Sequence, residues 1–447
     1  MSKRSVALLA TIIGSGVVFL DGTIVSLALP KISSDLHTGF STLQWIADGY
    51  LLSLSSLILL GGSLGDIFGR KKVYLIGLSG FATVSLLCGL SVNGTMLIAM
   101  RILQGIFGAL LVPGALAIIN TNFPREERGA AIGKWSAWSG AFTAIGPLVG
   151  GYLIDAVSWR WIFLINVPLL ILCGFLALAG VEESKDRRAR RVDIPGAIIA
   201  ALSLAGITYG LIEGPVNRWQ MGSLLPLIGG ALAAVLFLWY ESRNKDPMVE
   251  LGLFRSRNFS GSNIMTFAMY GALAGFMFSL VIYLQTKMGY SAIKAGVSLF
   301  PVTLLLLFFS SRVGRLSGKY GPRLFMTLGP LLAGAGMLSL LSFTPGAGYV
   351  THLLPSVALF AVGLTLLVAP LTTTVMTSVD ESSSGIASGI NNAVSRVAGL
   401  VVIALLGLAG ANSVFHFSLI LCGSLALAAG IASYLIIQNP KKSLPKA

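Results

Sequence analysis

Stretches of about 20 predominantly apolar residues recur along the whole chain, and nothing else in the sequence limits its folding as strictly. About 20 such residues is the length an α-helix needs to cross a bilayer core. Fourteen stretches qualify, near residues 6–28, 43–63, 73–92, 96–119, 129–154, 162–180, 194–212, 222–239, 259–286, 292–313, 324–343, 353–377, 385–408 and 413–437. Open strands cannot span lipid and barrel strands would read as short alternating runs, so these are helices. Asp, Glu, Lys and Arg make up only 11% of the 447 residues, against about 25% in soluble domains. The sequence predicts an all-α membrane protein with 14 transmembrane helices. It excludes a soluble enzyme and a disordered or disulfide-built chain.

The net charge of +14 would suggest a nucleic-acid partner in a soluble protein. Here the basic residues gather in alternate connecting segments. Twenty-four of the 31 Lys and Arg fall in one set and five in the other, while Arg101 and Arg396 lie inside helices. The positive-inside rule then places the basic loops and both termini in the cytoplasm of a multi-pass plasma-membrane protein, with no nucleic acid involved. Dropping one helix would invert every later loop, which supports the count of fourteen. Cys88, Cys173 and Cys422 lie far apart in apolar stretches, match no metal spacing and read as small hydrophobes. No cleavable signal peptide is evident, because the first apolar run continues to Pro30 without a small-residue cleavage pattern.

Two longer linking stretches, 182–193 and 241–258, bracket helices 7 and 8. Setting that pair aside leaves six helices on each side. The predicted organisation is an N-terminal six-helix bundle (1–181), a linker with two extra helices (182–258) and a C-terminal six-helix bundle (259–447). The two sixes resemble each other. GSLGDIFGRKK after helix 2 and GRLSGKYGPR after helix 10 align Gly62 with Gly314, Leu64 with Leu316 and Gly69 with Gly321. Asp66 aligns with Gly318, so the acid is present in one copy only. Secondary transporters are commonly built from such repeats, with the substrate path between the halves.

Four short elements carry the chemistry. The first is G-x-L-x-D-x-x-G-R-K-K at 62–72, where glycines permit a tight turn and Asp66 can accept from a basic side chain or from helix N-terminal amides. The second is MRILQGIFGA at 100–109 in helix 4. Its Arg101 is too costly to face lipid and calls for an acidic partner, unless it snorkels to the interface; Gln104, Gly105 and Gly108 follow it. The third is GAFTAIGPLVGG at 140–151 in helix 5, where Gly146 and Gly150 allow close helix contact and Pro147 can kink the helix. The fourth is FLDGTIVSLALP at 19–30, which contains Asp21, the only acid of helix 1. Asp21 falls about 5–6 Å outside the midplane, counting 1.5 Å per residue. Desolvation there favours its protonated form, as a proton carrier requires; the alternative is a structural acid capped by hydroxyls such as Thr23.

On these elements the chain resembles the major facilitator superfamily, and more narrowly its fourteen-helix branch of drug:proton antiporters, over nearly its whole length. The resemblance implies the major facilitator fold with a two-helix central insert. It implies that the loop of Gly62, Asp66, Gly69 and Arg70 latches one conformation. It implies that Arg101 takes part in proton transfer, and that Gly146, Pro147, Gly150 and Gly151 mark an antiporter rather than a symporter, hence export.

Other residues are open to two readings. Asp48, early in helix 2, is either a second proton or substrate contact beside Asp21 or a wet interfacial acid. From Leu251 to Ala447 the only acids are Asp380 and Glu381, both in a loop, so proton coupling is expected in the N-terminal half. Helix 13 gathers Asn391, Asn392, Ser395 and Arg396 near mid-membrane, for structural pairing or for substrate. Helix 9 is rich in Met and aromatic residues, among them Met269 and Phe276, which suit an adaptable pocket or plain packing. Gln104, Met269, Phe276, Asn391, Asn392 and Arg396 are thus the candidates for a substrate cavity. Trp159 and Trp161 read as interface anchors, and the three histidines receive no role.

No G-x-x-x-x-G-K-[ST] occurs, so no ATPase, cofactor or metal is expected and an ion gradient must supply the energy. The sequence thus predicts a transporter, not an enzyme, whose partners are protons, a lipophilic small molecule and the bilayer, with no obligate protein partner. Its function reads as proton-coupled efflux of lipophilic or weakly cationic drugs. The alternative is a lipid or lipid-precursor exporter on the same scaffold.

Overall fold

The computed structural model describes residues 2–185, 193–380 and 384–439; Arg187, Arg188, Arg190, Arg191, Glu381, Lys441, Lys442 and Lys446 lie outside the described residues. Fourteen helices are long and apolar enough to cross a membrane. They are α1 (Lys3–Leu36), α2 (Phe40–Phe68), α3 (Arg70–Gly89), α4 (Gly94–Asn122), α5 (Glu127–Ala156), α6 (Trp161–Gly180) and α7 (Ile194–Val216). The rest are α8 (Met221–Arg243), α9 (Arg257–Thr286), α10 (Ala292–Tyr320), α11 (Pro322–Ser342), α12 (Tyr349–Thr377), α13 (Ile386–Ala409) and α14 (Ser413–Ile436). They correspond one for one to the apolar segments, and no strand occurs among the described residues.

Side-chain caps satisfy the exposed amides at several helix starts. Ser5 N donates to Ser2 Oγ at 3.2 Å in α1, Met96 N to Asn93 Oδ1 at 2.8 Å in α4, and Gly196 N to Asp193 Oδ1 at 2.9 Å in α7. Helix 1 does not stop near Pro30, as its apolar stretch suggests. It runs on to Leu36 with Pro30 inside it, because Leu29 and Ile32 are still buried there and packing outweighs the lost backbone donor.

The chain forms two compact units. The first comprises Met1–Val249, Met277–Val297 and Ile403–Asn412; the second comprises Glu250–Phe276, Ser298–Val402 and Ser413–Ala447. In the first, α1 packs on α4, α5 and α6, while α4 also packs on α2 and α3. Val17, Tyr74, Phe81, Leu111, Ile118 and Leu170 fill the core between them. The α7–α8 hairpin belongs to this unit. Its helices approach closely at Gly206 and Gly230, and Ser203 Oγ donates to the Gly230 carbonyl at 2.9 Å. It is fastened to α2 by Trp45, whose Nε1 donates to Glu213 Oε1 at 2.9 Å and whose ring tilts against Tyr209. In the second unit, α12 packs on α10 and α11.

Candidate functional site

Helices α1 and α4 pack on each other in the first unit, which brings Asp21 and Arg101 together. Both residues are 1% exposed. Arg101 Nη1 lies 2.5 Å from Asp21 Oδ2. The same nitrogen donates to Gln104 Oε1 at 2.6 Å, and Arg101 Nε donates to the Ile46 carbonyl at 3.1 Å. The guanidinium carbon sits 4.2 Å from the centre of the Tyr50 ring. The other carboxylate oxygen of Asp21 accepts from Gln104 Nε2 at 3.1 Å and Asn166 Nδ2 at 3.3 Å. Gln104 Nε2 also donates to Ser85 Oγ at 2.9 Å. Charges in low dielectric are tolerated only when paired and hydrogen-bonded, and here both partners meet that condition. Arg101 does not snorkel. Thr23 does not cap Asp21 either; its hydroxyl donates to the carbonyls of Leu20 and Phe19 in its own helix.

Asp48 is fully buried in α2, so it is not a wet interfacial acid. Neither of its carboxyl oxygens has a hydrogen-bond partner among the described residues. Asp48 can carry charge only when a partner or water reaches it. One turn away, Gln44 Nε2 donates to the Ile403 and Ala404 carbonyls at 2.7 and 3.3 Å.

The 62–72 loop forms a compact turn. Gly69 alone separates α2 from α3, with φ 114°, a conformation that L side chains avoid. Asp66 pairs with Arg70 one helical turn on, at 2.7 Å to Nη2 and 2.8 Å to Nε. Gly62 faces Pro113 of α4, where a β-carbon would make ordinary van der Waals contact. In α5, Gly146 faces Thr23 and Gly150 faces Ile24, so this glycine pair seats α5 on the stretch of α1 that holds Asp21. A β-carbon at Gly150 would meet Ile24 at 2.9 Å. Pro147 lies inside α5, and Gly151 faces Ile293. In its last turn Asp155 accepts from Ala292 N and Ile293 N at 3.0 and 2.8 Å.

In the second unit, Met269 and Phe276 are fully buried in α9, and Phe276 tilts against Phe360. Asn391 Nδ2 donates to Thr266 Oγ1 at 2.6 Å and Asn263 Oδ1 at 3.1 Å, which ties α13 to α9. Asn392 and Arg396 are half-buried on the same helix. Trp159 is not an interface anchor. It is fully buried, with Nε1 donating to Asp35 Oδ2 at 3.0 Å, whereas Trp161 is exposed.

Sequence reasoning missed Asn166, Ser85 and Tyr50 as partners of the Asp21–Arg101 pair. Asn166 had a usable signal, being an amide inside the apolar run of helix 6. Ser85 and Tyr50 are common in apolar helices and carried none.

A model described as Major Facilitator Superfamily matches residues 11–403. The chain is 35% identical over 415 residues to the tetracenomycin C resistance and export protein of Streptomyces glaucescens, covering 91% of this chain and 76% of that one. It is 34% identical over 406 residues to the multidrug resistance protein Stp of Mycobacterium tuberculosis, covering 90% and 74%. Its fold is similar to a solved peptide transporter, POT, in complex with sulfate, with a TM-score of 0.72 at 16% identity over 96% of this chain and 94% of that one.

Proposed function

Because the chain belongs to the major facilitator superfamily and is a transporter rather than an enzyme, we propose that it exports lipophilic or weakly cationic drugs in exchange for protons. The resistance and export proteins it is similar to support the drug reading. The observation that carries the proton reading is the buried Asp21–Arg101 pair.

In this reading Asp21 is the coupling carboxylate. When a proton reaches it, the ion pair with Arg101 is lost. Arg101 keeps the Ile46 carbonyl, Gln104 and the Tyr50 ring, so it remains solvated by protein while Asp21 is neutral. When the proton leaves, the pair re-forms. A substrate that binds one of these two states more tightly is linked to the proton by that difference alone. Asp48, buried on α2 with no hydrogen-bond partner among the described residues, is the second acid of the same reading. The Asp66–Arg70 loop latches one conformation, and residues 1–181 and 259–447 act as the two moving bundles, with the basic loops and both termini cytoplasmic.

Proteoliposomes with an internal pH-sensitive dye and an imposed proton gradient test this. Lipophilic cations, neutral antibiotics and zwitterions are added in turn to wild type and Asp21→Asn. Substrate-triggered proton flux that the variant lacks is the expected result. Folded wild type that moves no proton with any compound would instead favour the lipid-exporter alternative.

A further inference from the structure

The two units close the start of their third helix in the same way, each with one residue that lies outside every motif, Glu183 and Asn439. In the first, the chain leaves α6 at Gly180 and turns back so that Glu183 meets α3. Lys71 N and Lys72 N donate to its two carboxylate oxygens at 3.2 and 3.1 Å. Lys71 Nζ reaches the Leu178 carbonyl at 2.8 Å, and Arg70 N donates to the Ser184 carbonyl at 3.0 Å. In the second, the chain leaves α14 at Ile436 and Asn439 meets α11. Arg323 N donates to Asn439 Oδ1 at 3.1 Å, and Arg323 Nε reaches the Tyr434 carbonyl at 2.9 Å.

The registers agree. Glu183 and Asn439 each stand three residues beyond the last residue of their helix, and Leu178 and Tyr434 each stand five residues before them. Lys71 and Arg323 each stand two residues after the linking glycine. Gly69 and Gly321 both have positive φ, 114° and 89°, and a β-carbon on either would collide with the clamping side chain. Two differences remain. Pro322 stands where Arg70 stands and has no N–H, so the bond to Ser184 has no counterpart. The clamp is a carboxylate in the first unit and a neutral amide in the second.

We propose that Glu183 is a positioning residue for the 62–72 loop: it fixes the start of α3 and thereby the register of the Asp66–Arg70 turn, coupling the latch to the chain that leads into the α7–α8 hairpin. This rests on the transporter reading above. A carboxylate at a helix N-terminus gains from both the free amides and the helix dipole. A neutral amide gains from the first alone, so the stronger clamp sits in the half that also holds Asp21 and Asp66.

Three measurements on the full chain in nanodiscs test the proposal, comparing wild type, Glu183→Ala and Glu183→Gln. Hydrogen exchange at Lys71 and Lys72 should quicken about five-fold in Glu183→Ala, the scale of one lost cap, and less in Glu183→Gln, which keeps one acceptor. Spin labels at Thr121→Cys and Thr377→Cys report the conformational populations without any substrate. Their ratio should shift by a similar factor. In proteoliposomes, a positioning role predicts that ethidium turnover falls in kcat with KM unchanged, and that Glu183→Gln recovers part of it. Unchanged exchange at the two amides would overturn the clamp. Faster exchange with unchanged label distances would overturn its coupling to the latch. Wild type that moves no ethidium, but whose label distances shift in Glu183→Ala, would count against the transport reading and for the clamp.

Discussion

Arg101 and Asp21, eighty residues apart in sequence, meet at 2.5 Å in the interior of the first unit with each charge also held by neutral partners. The pair is selective in its chemistry. Arg101 uses Nη1 and Nε on different acceptors and lays its plane near the Tyr50 ring. An ammonium is a point charge and cannot repeat that geometry. Arg101→Lys should therefore lose most of the pair's function, and Arg101→Ala should lose stability as well, by about 3–5 kcal/mol for a buried charge left alone. Adding Asp21→Asn to Arg101→Ala should recover part of that loss. A double-mutant cycle in detergent melts measures the recovery; strictly additive losses would mean that the two residues are not coupled.

The glycine pair in α5 sets the distance to the helix that holds Asp21. Gly150→Val places carbon where Ile24 already sits and should cost about 1–3 kcal/mol by overpacking. Ile24→Ala in the same chain should restore part of it. Circular-dichroism melts decide, and a Gly150→Val protein as stable as wild type would contradict the close contact.

Asp66 and Arg70 are both partly exposed, at 37% and 16%. Screening holds such a pair to about 1 kcal/mol or less. Asp66→Asn should thus leave the melting temperature nearly unchanged while slowing turnover. A large stability loss with normal turnover would make the loop a structural turn rather than a latch.

The α7–α8 hairpin should be anchored through one side-chain pair. Trp45→Phe removes the donor to Glu213 Oε1 and leaves the ring. A hydrogen bond to a charged acceptor is worth about 1.5–3 kcal/mol. Hydrogen exchange in α7 should quicken near Glu213 while α3 stays protected; equal exchange in both proteins would mean that the hairpin is held elsewhere.

What could be read from the sequence follows from how costly each feature is. Fourteen spans are legible because a bilayer core accepts few alternatives to long apolar helices. The partnership of Asp21 and Arg101 is nearly legible, because a buried guanidinium needs an acid and the apolar run of residues 6–28 holds only one. The burial of Asp48 was not, since early placement in a helix suits both a wet surface and a sealed one. The interior place of Trp159 was missed because an indole at a helix end ordinarily marks the interface, and its acceptor, Asp35, lies 124 residues away. Glu183 read as part of a charged linker. Only the fold shows that its carboxylate ends at the amides of Lys71 and Lys72.

The most direct test of the central claim needs no membrane gradient. Purified protein in weakly buffered detergent solution is mixed with a transported compound, and the pH change is followed with a soluble dye. Exchange through Asp21 predicts that binding releases protons from wild type, and that Asp21→Asn, shown folded by its melting curve, binds the compound and releases none. Equal release from both proteins would contradict Asp21 as the coupling carboxylate and transfer the role to another acid, with Asp48 the first to examine.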